Sequence, residues 1–525
     1  MSDAGGSGGS GKVARAEVLH RGAALQVELE GGEVRRIPLR RLHDRGPLIG
    51  GEGALHGDDV RIASAAVAAG WRGVDVALSN GKTLSLTLDS APLGSAVPRA
   101  EDGRPRCDLV VIGIGQLLTM DEAAPAGQRL AAQRGPEAGS GAGLAVGTCQ
   151  GRVVWIGHGS DVTEALVFEP GGRIVDARGG LVSPGLIESH AHPVWAGDRS
   201  AEFGARSAGA SYQEVAAAGG GIASTVRATR LARDKVLLAA AAVRLGRLCA
   251  FGVTTCEAKS GYALEVEGEL RLLEVIAELD GLGPLELSAT LLAAHAIPPE
   301  ARGDDAARAE WVRVCADELP ARARGLCESI DVFCDEGAFT LAEARRVLEG
   351  GKRAGLGLRV HADQLAALGA SALAAEFGAL SVDHLEHLPL EVIPALARAG
   401  TVAVCLPGAA INLGQPLPPA RALIDGGVAV ALGTDMNPGS SMTEALPLQM
   451  WLGCTALKMS VEEAWLGVTV NAARALGRPS LGRVRVGAPA DLVIWDATEP
   501  EQIPYHYGAN LARVVIKDGR VVATR

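Results

Sequence analysis

Aromatic side chains make up only 3% of this 525-residue chain, so aliphatic groups must do the packing. Apolar residues still reach 48%, enough for a sizeable interior, and the length exceeds what one compact core holds. Two or three domains are expected, one of them large. No apolar run approaches the roughly 18 residues a membrane helix needs, and the opening MSDAGGSGGSGK has no apolar signal region. The nine cysteines are scattered, odd in number and contain no CxxC pair, which is not a disulfide framework and fits a reducing cytoplasm. An excess of basic charge is lacking too. Fifty Lys and Arg against 61 Asp and Glu leave a formal charge of -11, which argues against nucleic acid or an anionic membrane as partner. One basic cluster, Arg35, Arg36, Arg40, Arg41 and Arg45, has no interleaved aromatics for base stacking and reads as a solvated face.

What is present in quantity is glycine (69 residues) and alanine, suited to short loops and to helices packed closely on a parallel sheet. Residues 1–11 form a Gly/Ser-rich flexible tail. From 12 to about 95 the pattern alternates, with a strand at Leu25–Glu30 and a hairpin signal in Val74–Leu78, Asn80-Gly81 and Lys82–Leu88. This predicts a small β-rich accessory module whose function the residues do not reveal. Short strands then recur at Asp108–Ile112 and Gly151–Gly157, and again only at the end, at Ala490–Trp495 and Val514–Val522. Residues 107–180 and 482–525 are therefore expected to form one composite β-sandwich domain around a long insertion. Within that insertion, 181–481, apolar runs such as Val253–Cys256, Leu285–Thr290, Ile330–Phe333, Leu358–Val360 and Val428–Leu432 are each followed by segments of helical period. These segments are 264–279, 305–318, 341–354 and 442–457. Repeated strand–helix units of this length predict an α/β closed parallel barrel, (β/α)8, with an open doubly wound sheet as the alternative. In a barrel, chemistry belongs at the C-terminal strand ends.

Several of the eleven histidines stand where such ends are expected. His190-Ala-His192 places two imidazoles on one face of an extended segment. Alone, such a pair is a weak signal. His361 closes the run Leu356–Val360, His384 lies in Ser381-Val-Asp-His384, and Asp435 ends Val428–Asp435. All follow a strand and precede a helix, so all face one rim. His190, His192, His361 and Asp435 form an N3O set suited to one divalent Zn2+ or iron ion rather than Ca2+ or Mg2+. A metal with an open position lowers the pKa of its water to about 7. Asp435 is expected to accept a proton as well as touch the metal, and His384 to orient the water or polarise a carbonyl.

With these residues the chain resembles the amidohydrolase superfamily in its one-metal arrangement, and within it the imidazolonepropionase family. The stretches that carry the resemblance are Ala196-Gly-Asp-Arg199, Gly219–Arg230, Lys259-Ser-Gly-Tyr262, Ala294-His295-Ala296, His361-Ala-Asp-Gln364 and Thr434–Ser441, in order within about 107–525. Residues 1–95 lie outside it. The resemblance implies a homodimeric enzyme that opens the ring of 4-imidazolone-5-propanoate to N-formimidoyl-L-glutamate in histidine degradation. It implies substrate contacts from Arg199, Tyr262, His295, Gln364, Asn437, Gly439 and Ser440. A guanidinium fork at Arg199 suits a carboxylate. Ser441-x-x-Glu444 reads as a capping box whose helix-start amides would hold a newly formed carboxylate. Two departures appear. Where the family can have Glu, Gln364 can hydrogen-bond but cannot shuttle protons, and the usual Asp-Pro-His-Thr-His context is Glu188-Ser-His-Ala-His here. His387 is expected to be a helix-start polar residue, and Gly219–Gly221 a lid segment rather than a phosphate loop. The alternatives to ring opening are another amidohydrolase, such as an aminoheterocycle deaminase, or a non-catalytic scaffold of the same fold.

Overall fold

The structure, a computed structural model, describes residues 97–120, 143–209 and 220–525 in full, and the backbone alone of seven further strands between Val13 and Arg134. Six of those strands form two antiparallel three-stranded sheets over Val13–Pro38 and Ile62–Thr87. Gly73–Leu78 pairs with Thr83–Thr87, the strands of the expected hairpin; its Asn80-Gly81 turn lies outside the described residues. The arginine cluster's side chains and Gly219 lie outside them as well.

Eight parallel strands follow one another in sequence order in a single sheet: β1 Leu186–Glu188, β2 Val253–Lys259, β3 Glu286–Ala294, β4 Ser329–Cys334, β5 Gly357–Ala362, β6 Ser381–His384, β7 Val402–Cys405 and β8 Val430–Leu432. Nearly every residue in them is buried, as a parallel sheet covered by helices requires. The ring closes beyond the strand ends. Asp435 N donates to His190 O (3.0 Å) and His192 N donates to Met436 O (3.0 Å), with Ala191 bridging Met436 in parallel. The barrel is thus sealed by the very segments that carry the HxH pair and Asp435.

The strands before and after the barrel share a second core. Leu181–Pro184 pairs with Leu492–Trp495, which pairs with Ala512–Lys517 and so with Arg520–Thr524. A four-stranded sheet containing Arg106–Ile114 packs on this one through Leu109, Val111, Val146, Val182, Leu492, Ile494 and Ile516. Trp495 Nε1 donates to Ser183 Oγ (2.8 Å), tying together the strands that precede and follow the barrel. Among the described residues no helix is long and apolar enough to cross a membrane.

Helix positions follow the periodic segments with two differences. Residues 305–318 are α-helical only to Arg313 and continue as one π turn, Val314–Glu318. The helix expected from 442 begins at Leu446. The capping box read at Ser441 and Glu444 does not form, because Ser441 Oγ donates to Thr434 O (2.6 Å) and holds that segment as a turn. The helix starts only where Pro447 enters its first turn.

Between β4 and β5 lies α1, Leu341–Ala354, with a true capping box: Thr340 Oγ1 accepts from Glu343 N (3.3 Å) and Glu343 Oε2 accepts from Thr340 N (2.8 Å). Its Gly350 packs on the π turn so closely that a Cβ would overlap the Ala316 carbonyl. Gly350→Ala is therefore expected to cost about 1–3 kcal/mol by overpacking, read as a lower midpoint in denaturant titration.

Candidate active site

Burying charge in a barrel of this kind is costly unless each group is paired. The lower layer consists of Glu257 and Lys259 on β2, Asp331 on β4, Arg359 on β5 and Asp383 on β6, all fully buried. Lys259 Nζ bonds Asp331 Oδ2 (2.6 Å) and Glu257 Oε1 (3.0 Å) and lies 3.5 Å from Asp383 Oδ2. Arg359 Nε lies 3.1 Å from both Glu257 Oε1 and Ser329 Oγ. Burial opposes ionisation of Asp331, but His361 and Lys259 outweigh it and hold that carboxyl below the usual range.

The histidines stand on this layer. His190 Nδ1 is 2.7 Å from Asp383 Oδ2, which orients the ring and turns Nε2 towards the rim. His361 Nδ1 lies 3.0 Å from Asp331 Oδ2, a close contact without hydrogen-bond alignment. His190 Nε2 and His192 Nε2 lie 3.5 and 3.6 Å from one atom, Asp435 Oδ1. Two ligands at zinc distances and a tetrahedral angle are about 3.3 Å apart, so this spacing suits a shared ion. The His361 ring centre is 4.5 Å from that of His190 and 5.7 Å from that of His192. His190 Nε2 and both nitrogens of His361 are buried without a hydrogen-bond partner.

The charges agree with the distances. Burial holds His190 and His192 well below the usual imidazole range, hence neutral. Buried acids, Glu257, Asp331, Asp383 and Asp435 among them, outnumber the buried cations Lys259 and Arg359, a surplus that a cation would help to offset. Donor chemistry, spacing and charge all fit a metal ion.

His384 stands as near: its ring centre is 5.4 Å from His190 and 5.3 Å from His361, and those three residues also group as ligands would. Burial disfavours its protonation, but Glu386, 3.6 Å from Nδ1, outweighs this and the net direction is upward. Asp435 is raised by burial to about 6. Both residues sit at positive φ, 79° and 52°, a strained backbone found where function fixes a side chain.

Around them opens a cavity of about 200 Å³ lined by His192, Arg199, Tyr262, His295, Gln364 and Asn437, among others. Of the residues expected at the site all but His190 line this cavity, and His190 Nε2 lies 3.5 Å from Asp435 Oδ1. His295 stacks on His192 (centroids 5.0 Å) and meets Tyr262 edge-on (5.3 Å). Burial, with His361 nearby, lowers His295 to about 3, so it is neutral, with Nδ1 3.0 Å from Gly261 O. Arg199 bonds Glu202 Oε2 through Nε (2.9 Å) and Nη2 (2.8 Å). A Cβ on Gly439 would meet Arg199 Nη1 at 2.5 Å, so the guanidinium would have to shift to make room for one.

The amides expected at a helix start are engaged instead. Gly439 N and Ser440 N donate to Asn437 Oδ1 (2.7 and 2.8 Å), and Ser440 Oγ donates to Asp435 Oδ2 (2.9 Å). This turn therefore aims Asp435 before it can serve any ligand. Of the two departures, the one at Glu188 closes the barrel. The Glu188 carboxylate accepts from His190 N (3.0 Å) and Thr434 N (3.0 Å) across the β1–β8 seam. His387 Nε2 lies 3.1 Å from Gln415 Oε1, outside the cavity lining.

Motif and spacing gave no role to Glu257, Asp331, Arg359 or Asp383, and named Lys259 only as the first residue of Lys259-Ser-Gly-Tyr262. Their signal in the sequence is a pair of charged or polar residues two apart, Glu257-x-Lys259 and Arg359-x-His361, within strands otherwise apolar. Nor did they single out Glu269, whose carboxylate accepts from Gly261, Ala263 and Leu264 N (2.8 Å each) and holds the Tyr262 loop. Asp335 does the same for Gln364, Leu365 and Ala366. Asp383→Asn is expected to weaken zinc binding roughly 10- to 100-fold by loosening His190, measured by competition with a chromophoric chelator; an unchanged affinity would remove His190 from the ligand set.

A sequence model described as the amidohydrolase family matches residues 223–523. Imidazolonepropionase of Anaeromyxobacter dehalogenans (strain 2CP-C) is 49% identical over 395 residues, which cover 74% of this chain and 93% of that protein. Imidazolonepropionase of Bacillus velezensis is 41% identical and covers 80% and 97%. Among solved structures, a zinc-bound adenosine deaminase from Xanthomonas campestris aligns over 80% of this chain and 93% of its own at TM-score 0.59 and 17% identity. A 5-methylcytosine deaminase from Klebsiella pneumoniae aligns over 79% and 97% at 0.58 and 17%. At such identity the two structures share the fold. On the family match and the extent of the sequence relatives, this chain belongs to the amidohydrolase family and, within it, to the imidazolonepropionases.

Proposed function

We propose that this protein hydrolyses the cyclic amide C–N bond of 4-imidazolone-5-propanoate to give N-formimidoyl-L-glutamate, a step of histidine degradation. The observation that carries this is the gathering of Arg199, Tyr262, His295 and Gln364 in one cavity over the His/Asp cluster, in a chain matching imidazolonepropionases over nine-tenths of their length.

His190, His192, His361 and Asp435 would hold one divalent ion, and the N3O donor set favours zinc or iron. Bound there, the ion would polarise the ring carbonyl and lower the pKa of a water to about 7. The protein's own groups do the rest. Asp435, carrying an acceptor oxygen and held by Ser440, takes a proton from the attacking water and returns it to the ring nitrogen as the C–N bond breaks. His384 donates to the developing oxyanion, a role its raised pKa supports. The neutral His295 and buried Tyr262 enclose the ring and limit water access. Gln364, unable to ionise, hydrogen-bonds the ring and leaves proton transfer to Asp435 and His384. All nine cysteines are unpaired, which supports a reducing, cytoplasmic setting.

Metal-replete protein should convert the imidazolone to the formimidoyl product, identified by mass spectrometry. No turnover would remove the assignment, and ammonia release would instead indicate a deaminase. Asp435→Ala is expected to lower kcat at least roughly 100-fold, the scale of a lost general base. Gln364→Ala should cost only about 2- to 13-fold, the scale of one hydrogen bond.

A further inference from the structure

The cavity holds a second arginine that the proposed reaction leaves without a role. Arg206 lies in the last turn of the helix Ser200–Ser207 and lines the same cavity as Arg199. Its Nη2 donates to Gly439 O (3.3 Å), while Arg199 Nη1 approaches the other side of Gly439. The two guanidiniums thus flank one glycine at the wall of the cavity. Their surroundings differ. Arg199 spends Nε and Nη2 on Glu202, whose other oxygen accepts from Gly221 N (3.1 Å) and Ser224 Oγ (3.2 Å). That pair is locked from both sides and is neutral as a unit. Among the described residues no carboxylate is within ion-pair distance of Arg206, and the other acid of the cavity lining, Asp435, is bound into the His/Asp cluster.

An anionic group entering beside a neutralised pair gains little, whereas one that reaches an unpaired guanidinium gains a charge-assisted hydrogen bond. We propose that Arg206 is the specificity-determining residue for the carboxylate tail of the substrate. It supplies the net positive charge, while Arg199, held by Glu202, supplies fixed geometry. The inference rests on the ring-opening activity for the identity of the tail, but binding tests it without turnover.

The probes are imidazole-4-propanoate and its neutral carboxamide, titrated calorimetrically into the metal-loaded full-length protein. The wild type should bind the acid roughly 10- to 100-fold more tightly than the amide, the range of a hydrogen bond to a charged group. Arg206→Met should remove most of that preference by weakening the acid, with the amide's Kd held within about twofold, and Arg206→Lys should restore part of it, as a point charge without the planar fork. In turnover, the Arg206→Met loss should fall on KM rather than kcat. Acid preference retained in Arg206→Met, equal weakening of both probes, or no preference in the wild type would each overturn the proposal. Wild-type preference for the acid that depends on Arg206, without turnover of the imidazolone, would instead reject the ring-opening function and leave the carboxylate site standing.

Discussion

Everything at this site depends on one arrangement, an unequal set of charges sealed inside a parallel barrel. Buried carboxyl groups outnumber the buried cations Lys259 and Arg359 there, and His190 and His192 are held neutral by burial. In such a medium an uncompensated charge is expensive, and a cation held by the His/Asp cluster would offset it. The same layer orients the histidines above it. Asp383 sets His190, Asp331 faces His361, and Lys259 joins the two carboxylates, so rings on separate strands are aimed from a common base.

Above that base the chemistry is carried by loops, and each important loop is tied down by an acceptor taking backbone amides. Glu188 spans the seam between His190 and Thr434, Glu269 holds the segment of Tyr262, Asp335 holds that of Gln364, and Asn437 folds the turn that presents Ser440 to Asp435. Each amide bonded this way is one that an extended loop would otherwise leave to water. Rigid loops permit strained backbone at His384 and Asp435, because the surroundings hold the torsions in place. The described loops around the cavity are thus held by hydrogen bonds within the protein itself, an arrangement that lowers the cost of ordering them on binding.

The barrel was legible because its strands are short apolar runs at regular intervals, and because residues with costly or reactive side chains cluster at their ends. His190, His192, His361, His384 and Asp435 could be read this way, as could Arg199, Tyr262, His295 and Gln364 through their motifs. Less legible was what local pattern describes ambiguously. Ser441-x-x-Glu444 fits a capping box, yet Ser441 turns to Thr434, a partner that exists only once β8 and its turn are folded. Lys259 and Asp383 could be seen as charged residues in apolar strands, but not as partners, since they lie on different strands brought together by barrel closure.

Composition and motif order by themselves determined the class of fold and the family, because periodicity and side-chain chemistry are local properties of a chain. Tertiary structure alone decided which charges share a layer, that Glu188 joins the first strand to the last, that Glu202 neutralises Arg199, and that Arg206 faces the same cavity. The reason is physical. Pairing and net charge depend on distances across the barrel, and those distances are set only when its two ends meet.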